Sequence, residues 1–362
     1  MKILIIGPGK MKYMPYSHFY LDNIDCKKHE VHVAYWNRDE KDEDLSKFKG
    51  VYLHEFKKFM VNDASLKTKI KCFLSYRKFC LKLIQKDKYD FLIVLHSLSG
   101  LMLYDQLRGR YNEKYILDYR DSTYEPRVKL FKAVVGNLVK FSRVTFTSSD
   151  GFREILPSSC SDKIVTSHNI LEDSLFHRDY VKTESPRIRL AFWGFIRHVE
   201  INKFLIDRIA DDERFELHYY GREQIDALTL KNYVHEKGYC NIFFHGEYKP
   251  EDRYVFVKET DVIHNIYLDF NMLRAMGNKY YDGIIFRIPQ ICFPGSQMAK
   301  MSETAGVGVS LDPRDADFCD KLYAYYQKLN RAGFSQNCDI ELGRVMEEYN
   351  KGRKIICGIF QN

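Results

Sequence analysis

Four short stretches of this sequence hold residue types that could do chemistry. The first is Gly7-Pro8-Gly9-Lys10, directly after an apolar run over residues 1–6. Glycines at a strand end let the backbone approach a phosphate, and a following helix would point its positive end at the same spot. A dinucleotide fingerprint needs a third glycine, but Lys12 stands in that place, which disfavours a dehydrogenase. The second stretch is His96, after the run Phe91–Leu95, and the third is Asp118-Tyr119-Arg120-Asp121. Both lie where a strand should end, the place where ligands of open α/β sheets collect, and both hold groups able to move a proton. The fourth is Asn278-Lys279-Tyr280-Tyr281-Asp282-Gly283. A carboxylate is a natural acceptor for a vicinal diol, and an ammonium neutralises phosphate charge. Asp315-Ala316-Asp317 has the spacing of a metal-binding pair but sits in a polar turn. The nine cysteines are scattered without a CxxC pair, so neither a zinc site nor a disulfide framework is expected and reduced thiols of a cytoplasm fit.

The elements that must carry these residues alternate. Short apolar runs at 1–6 and 91–95 read as buried strands, 30–35 alternates as a strand, strands follow at 114–118 and 143–147, and helix-like stretches lie at 66–86, 99–108 and 128–141. Strand–helix alternation implies right-handed crossovers and a parallel sheet. A polar stretch over 172–186 is the candidate linker. The alternation then restarts with strands at 188–194, 215–220, 242–245, 262–265 and 289–293 and helices at 200–210, 224–236, 250–260 and 278–286. The reading is an α/β protein with two Rossmann-like domains facing a central cleft. The domains are 1–175 and 186–338, and a helix within the tail 339–362 packs back across both.

Length and charge agree with that division. At 362 residues the chain suits two cores better than one, and 45% hydrophobic with 29% charged residues marks it as globular. Residues 1–180 carry 31 basic and 23 acidic side chains and the remainder 25 and 26, so the whole positive excess lies in the first half. Such an excess marks a surface that meets something anionic. Two basic, apolar-faced helices, 66–88 and 127–143, suit an interface with anionic lipid. No run of 18 apolar residues and no signal-peptide core is present, so a cytoplasmic protein lying on the inner face of the membrane is expected. No nucleic-acid recognition signature is found, and no nucleic-acid partner is expected.

The stretch from Asn278 to Gly283, followed by Ile284-Ile285-Phe286-Arg287-Ile288-Pro289, resembles the C-terminal domain of GT-B glycosyltransferases, in particular retaining family 4. That group carries N/S-K-x-x-E-x-x-x-x-G-x-P. Lys279, Asp282 and Pro289 match the spacing, with Asp282 for the usual Glu and Arg287 for the usual Gly. Phe192-Trp193-Gly194-Phe195-Ile196-Arg197 resembles the family's opening strand and glycine turn, and His218–Arg222 and Phe243–Tyr248 its strand–glycine pairs. The resemblance is carried by motifs in 188–312 and by fold logic in 1–170.

It implies a fold, an activity and a set of roles. Asp282 would hold the ribose hydroxyls, with Tyr248 and Tyr280 also at the nucleotide. Arg197, Lys279 and Gly9 would contact the donor diphosphate. The family's first glutamate would stand where Arg274 is, which leaves Asp269 and Asn271 as the nearest polar groups for the donor sugar. His96 and Asp121 would be catalytic, as general base in an inverting enzyme or as positioning groups in a retaining one. No metal and no cofactor beyond the nucleotide-sugar co-substrate is implied. The partners would be that donor and a lipid-linked or oligosaccharide acceptor in surface polysaccharide synthesis. A GT-B nucleotide-sugar epimerase and an inert homologue acting as a binding subunit remain open alternatives.

Overall fold

The computed structural model describes residues 1–61, 64–125, 127–170 and 172–361. The chain divides into two compact units, Met1–His168 with Glu347–Asn362, and Asn169–Met346.

The first unit is built on seven parallel strands: β1 (Lys2–Ile6), β2 (Glu30–Asn37), β3 (Tyr52–Lys57), β4 (Phe91–Leu95), β5 (Tyr115–Tyr119), β6 (Val144–Thr147) and β7 (Ile164–Thr166). Their order is β3-β2-β1-β4-β5-β6-β7. Every residue of β4 and β5 is buried, as a parallel strand covered on both faces requires. The order runs outward from β1 in both directions, so the switch point lies between β1 and β4, and ligands of such sheets gather beyond the strand ends there. Helix Leu66–Asp87 begins where the Ser65 side chain accepts the Thr68 N–H and ends where Lys88 turns left-handed at φ 49°. Its Tyr76 hydroxyl reaches the carbonyls of Gly7 at 2.6 Å and Ala34 at 2.9 Å, fixing the loop after β1. The last turns of helix Arg331–Phe360 belong to this unit. Tyr349 packs on Phe19 and Phe360 on Phe91, with ring centroids 5.2 Å apart in each pair.

The second unit has six parallel strands: β8 (Ile188–Trp193), β9 (Phe215–Tyr220), β10 (Ile242–Gly246), β11 (Val262–Asn265), β12 (Gln290–Cys292) and β13 (Gly308–Ser310). They are ordered β10-β9-β8-β11-β12-β13, so its switch point lies between β8 and β11. The first half of helix Arg331–Phe360 contributes Phe334, Cys338, Leu342 and Val345 to this unit's core.

Several elements depart from the sequence reading. The terminal helix, expected within the tail 339–362, runs from Arg331 to Phe360. The helix expected at 250–260 is three short turns, Pro250–Asp252, Arg253–Phe256 and Val257–Glu259. The stretch 99–108 is broken at Leu103, between Ser97–Met102 and Tyr104–Arg108. The basic segment 127–143 is helical over Lys129–Phe141. After the Gly7–Lys10 loop come only 3-10 turns and the four-residue helix His18–Leu21, because Pro15 lacks the N–H a longer helix would use. That loop therefore has no long helix dipole behind it. Among the described residues no helix is long and apolar enough to cross a membrane.

Candidate functional site

The second unit's switch point is assembled by two glycines. Gly194, just past β8, has φ 138°, where a side chain would be strained, and a Cβ there would lie 2.9 Å from the Lys279 Nζ. Gly221, just past β9, would place a Cβ 1.7 Å from the Gly194 carbonyl oxygen. Only glycine at both places lets these turns close on each other and admits the lysine. Lys279 enters from the first turn of helix Asn278–Ile285. Its Nζ stands 4.5 Å over the Phe192 ring and 5.7 Å over Tyr267. Among the described residues no carboxylate comes within ion-pair distance of it. Ring faces stabilise a cation without neutralising it, so the charge stays available to an anion. Buried His264 feels it: burial and the Lys279 charge push that imidazole down to about 3.

Around Lys279 lie the other strand-end groups. Arg197 is exposed, its guanidinium 5.0 Å over Phe195, and its carbonyl accepts from the Asn202 side chain at 2.8 Å. His198 is left-handed at φ 65° at the N-cap of helix Val199–Ala210. Its Nε2 lies 3.3 Å from Asp269 Oδ2. Burial lowers its pKa against the Asp269 charge. Asp269 Oδ1 accepts the Met272 N–H at 2.8 Å, and the Asn271 carbonyl accepts from Arg274 and Ala275, each at 3.0 Å. The two residues expected at the sugar thus shape one turn after β11, and Asp269 is engaged by His198, which the sequence reading did not single out.

Helix Asn278–Ile285 sends its two faces to different places. Tyr280 is fully buried, and its hydroxyl donates to Glu341 Oε1 at 2.6 Å. Expected at the nucleotide, it is a core residue, because it shares the inward face with Tyr281, Ile284 and Ile285. Asp282 is 6% exposed and accepts from Arg253 at 3.1 Å. Burial pushes its carboxyl upward, opposed by the charges of Arg253 and Lys279. Tyr248, half-buried edge-on to Phe256 at 5.1 Å, has its phenol raised to about 12 by burial and by Asp282. Tyr248, Arg253, Asp282 and Lys279 therefore form one electrostatic neighbourhood. Arg253 was missed; the one signal for it is that a carboxylate on a helix's apolar face needs a buried cation. Arg287, standing at the pattern's glycine, has φ 53°, the conformation glycine favours. Its side chain offsets that strain with two contacts to Asp339 at 3.1 Å.

The first unit's switch point is differently occupied. Lys10 is buried, paired with Asp39, and donates to the Lys41 carbonyl at 2.6 Å. A Cβ on Gly9 would meet nothing within 4 Å, so that glycine is not demanded by packing. His96 stands past β4 at φ 78°, and its Nδ1 accepts the Leu98 N–H at 3.1 Å. Burial lowers its pKa, countered by Asp121 and Glu125. A neutral imidazole whose Nδ1 accepts carries its proton on Nε2, so His96 presents a donor rather than a base. Arg120 pairs with Asp118 at 2.7 Å. Tyr20 donates to the same carboxylate at 2.5 Å, and Asp121 is exposed. Among the described residues no group of three His, Cys, Asp or Glu is placed to hold a metal ion.

No family model matches the chain, and no curated protein matches it in sequence. Solved structures do match its fold. Sucrose-phosphate synthase from Thermosynechococcus elongatus superposes with TM-score 0.73 at 11% identity, over 100% of this chain and 98% of that one. Anabaena HepE in complex with UDP and glucose gives 0.71 at 12%, over 98% and 99%. The lipopolysaccharide outer core galactosyltransferase WaaB gives 0.64 at 12%, over 97% and 99%. The chain has the GT-B fold that these proteins share, with two Rossmann-like units.

Proposed function

We propose that the chain is a glycosyltransferase that uses a nucleoside diphosphate sugar, held on the second unit. The observation that carries this reading is Lys279, an ammonium framed by ring faces beside the Gly194 turn with no carboxylate on it among the described residues. A diphosphate is the ligand whose charge that position lacks. Arg197 adds a second cation, Asp282 oriented by Arg253 is the acceptor for the ribose diol, and Tyr248 flanks the nucleoside. HepE, of the same fold, has been crystallised with UDP-glucose, which supports the choice of donor.

In the reaction an acceptor hydroxyl oxygen bonds to the anomeric carbon while the bond from that carbon to the β-phosphate oxygen breaks. Negative charge grows on the departing diphosphate, where Lys279 and Arg197 offset it without a metal ion. The Nε2–H of His96 donates to substrate and does not remove a proton, which favours retention, with the departing phosphate oxygen taking the acceptor's proton. Asp121 positions the acceptor and adjusts the charge around His96. The acceptor is a lipid-linked saccharide of a surface polysaccharide, met at the inner face of the membrane through the basic helices. The test is incubation with a panel of nucleotide sugars in EDTA, following release of the nucleoside diphosphate and the anomeric configuration by NMR. Retained configuration with donor turnover is expected. Turnover yielding only an epimerised donor would point to an epimerase, and no donor binding at all would overturn the reading.

A further inference from the structure

The first unit holds a second concavity that the donor chemistry does not use. It is a cleft of about 840 Å3 whose lining includes helix Leu66–Asp87, Leu101 and Phe131, a size typical of small-molecule sites. Helix Leu66–Asp87 has two apolar stripes. Cys72, Tyr76, Cys80 and Ile84, four residues apart, are buried in the core. Leu66, Ile70 and Leu74, also four apart, are 65%, 51% and 59% exposed and line the cleft. An apolar stripe left open to water on an otherwise lysine-rich helix marks a contact surface.

The charges in the cleft narrow what that contact is. Arg77 is satisfied by Asp105 at 2.8 and 3.0 Å. Arg38 is not: its guanidinium lies 4.6 Å over Trp36 and 5.7 Å over Phe73, and its Nε is buried with no hydrogen-bond partner. Among the described residues no carboxylate is paired with it, and its charge reaches His96 past β4. Lys69 adds a cation to the lining. A purely apolar partner would leave Arg38 desolvated and unpaired, which costs free energy, whereas an anion there removes the cost.

We propose that this cleft binds a phosphate-bearing, single-chain lipid, with its chain along Leu66, Ile70 and Leu74 and its phosphate at Arg38. The binding site stands on its own; its role as the carrier of the sugar acceptor rests on the transferase reading.

The test is calorimetric titration of the full chain with farnesyl pyrophosphate, with farnesol and inorganic pyrophosphate as controls and UDP in a parallel titration. Farnesyl pyrophosphate should bind saturably and more tightly than either control. Ile70→Glu, at an exposed position that does not threaten folding, and Arg38→Met should each weaken it ~10-fold, with Arg38→Lys recovering part of the loss. UDP binding should not change in Ile70→Glu. If UDP binds but farnesyl pyrophosphate does not, or binds equally to Ile70→Glu, the cleft proposal fails while the donor reading stands. If farnesyl pyrophosphate binds as described and no nucleotide does, the transferase reading fails and the lipid site remains. A wild-type dimer that Ile70→Glu converts to monomer by sedimentation would make the stripe a self-contact and overturn the proposal.

Discussion

The two units share one architecture and differ in what they do with cations at the switch point. Both sheets run outward from their first strand, and both place a glycine turn after it. In the first unit the turn's lysine, Lys10, is buried against Asp39. In the second, Lys279 faces the Gly194 turn over aromatic rings with no carboxylate on it among the described residues. The same fold thus offers one neutralised strand end and one poised for an anion, and side-chain pairing, not topology, distinguishes them.

The largest effect that could break this comparison concerns two buried arginines. Arg120 pairs with Asp118 in the first unit and Arg253 with Asp282 in the second. Replacing either by Met leaves a buried carboxylate without its partner, and each variant should lose about 3–5 kcal/mol in urea denaturation. Below the melting range only Arg253→Met should also lose nucleoside diphosphate binding. Equal binding losses in both would mean the distinction is wrong.

The glycine turns sharpen it next. Gly221→Ala must displace the Gly194 backbone and should cost about 1–3 kcal/mol together with donor affinity. Gly9→Ala meets nothing within 4 Å and should stay within about 0.5 kcal/mol of wild type in the same denaturation assay.

The effect confined to acid conditions is a pH slope. His264 is held down to about 3 by burial and Lys279, while an unfolded imidazole titrates near 6.5. As pH falls below about 6.5 the unfolded chain takes up a proton that the folded chain refuses, so stability declines until about pH 3. His264→Phe should flatten the acid limb of the stability–pH curve by on the order of 1.4 kcal/mol per pH unit. Identical slopes for wild type and variant would show that His264 is not kept neutral.

The sequence was most informative where local pattern decides structure. Short, largely apolar runs marked β1, β4 and β8, because strands covered on both faces must be apolar. β3 escaped notice: Tyr52–Lys57 sits at the sheet edge, where half-exposed side chains erase the signal. The terminal helix was read too short because its buried positions, from Phe334 to Phe360, serve two different cores. At the site, Lys279 and Arg197 were legible as cations near glycine turns. Tyr280 was misread because its neighbour Lys279 faces outward, and a single turn of helix separates surface from core. The partners Arg253 for Asp282 and His198 for Asp269 are contacts between segments distant in sequence, which no local spacing records.

The most direct test of the central claim is titration of the chain with UDP, GDP, CDP, TDP and ADP, repeated on Lys279→Ala and Lys10→Ala. The account predicts that at least one diphosphate binds wild type and Lys10→Ala alike, and that Lys279→Ala loses about 1.5–3 kcal/mol of that affinity. Undiminished binding to Lys279→Ala, or a loss confined to Lys10→Ala, would contradict it.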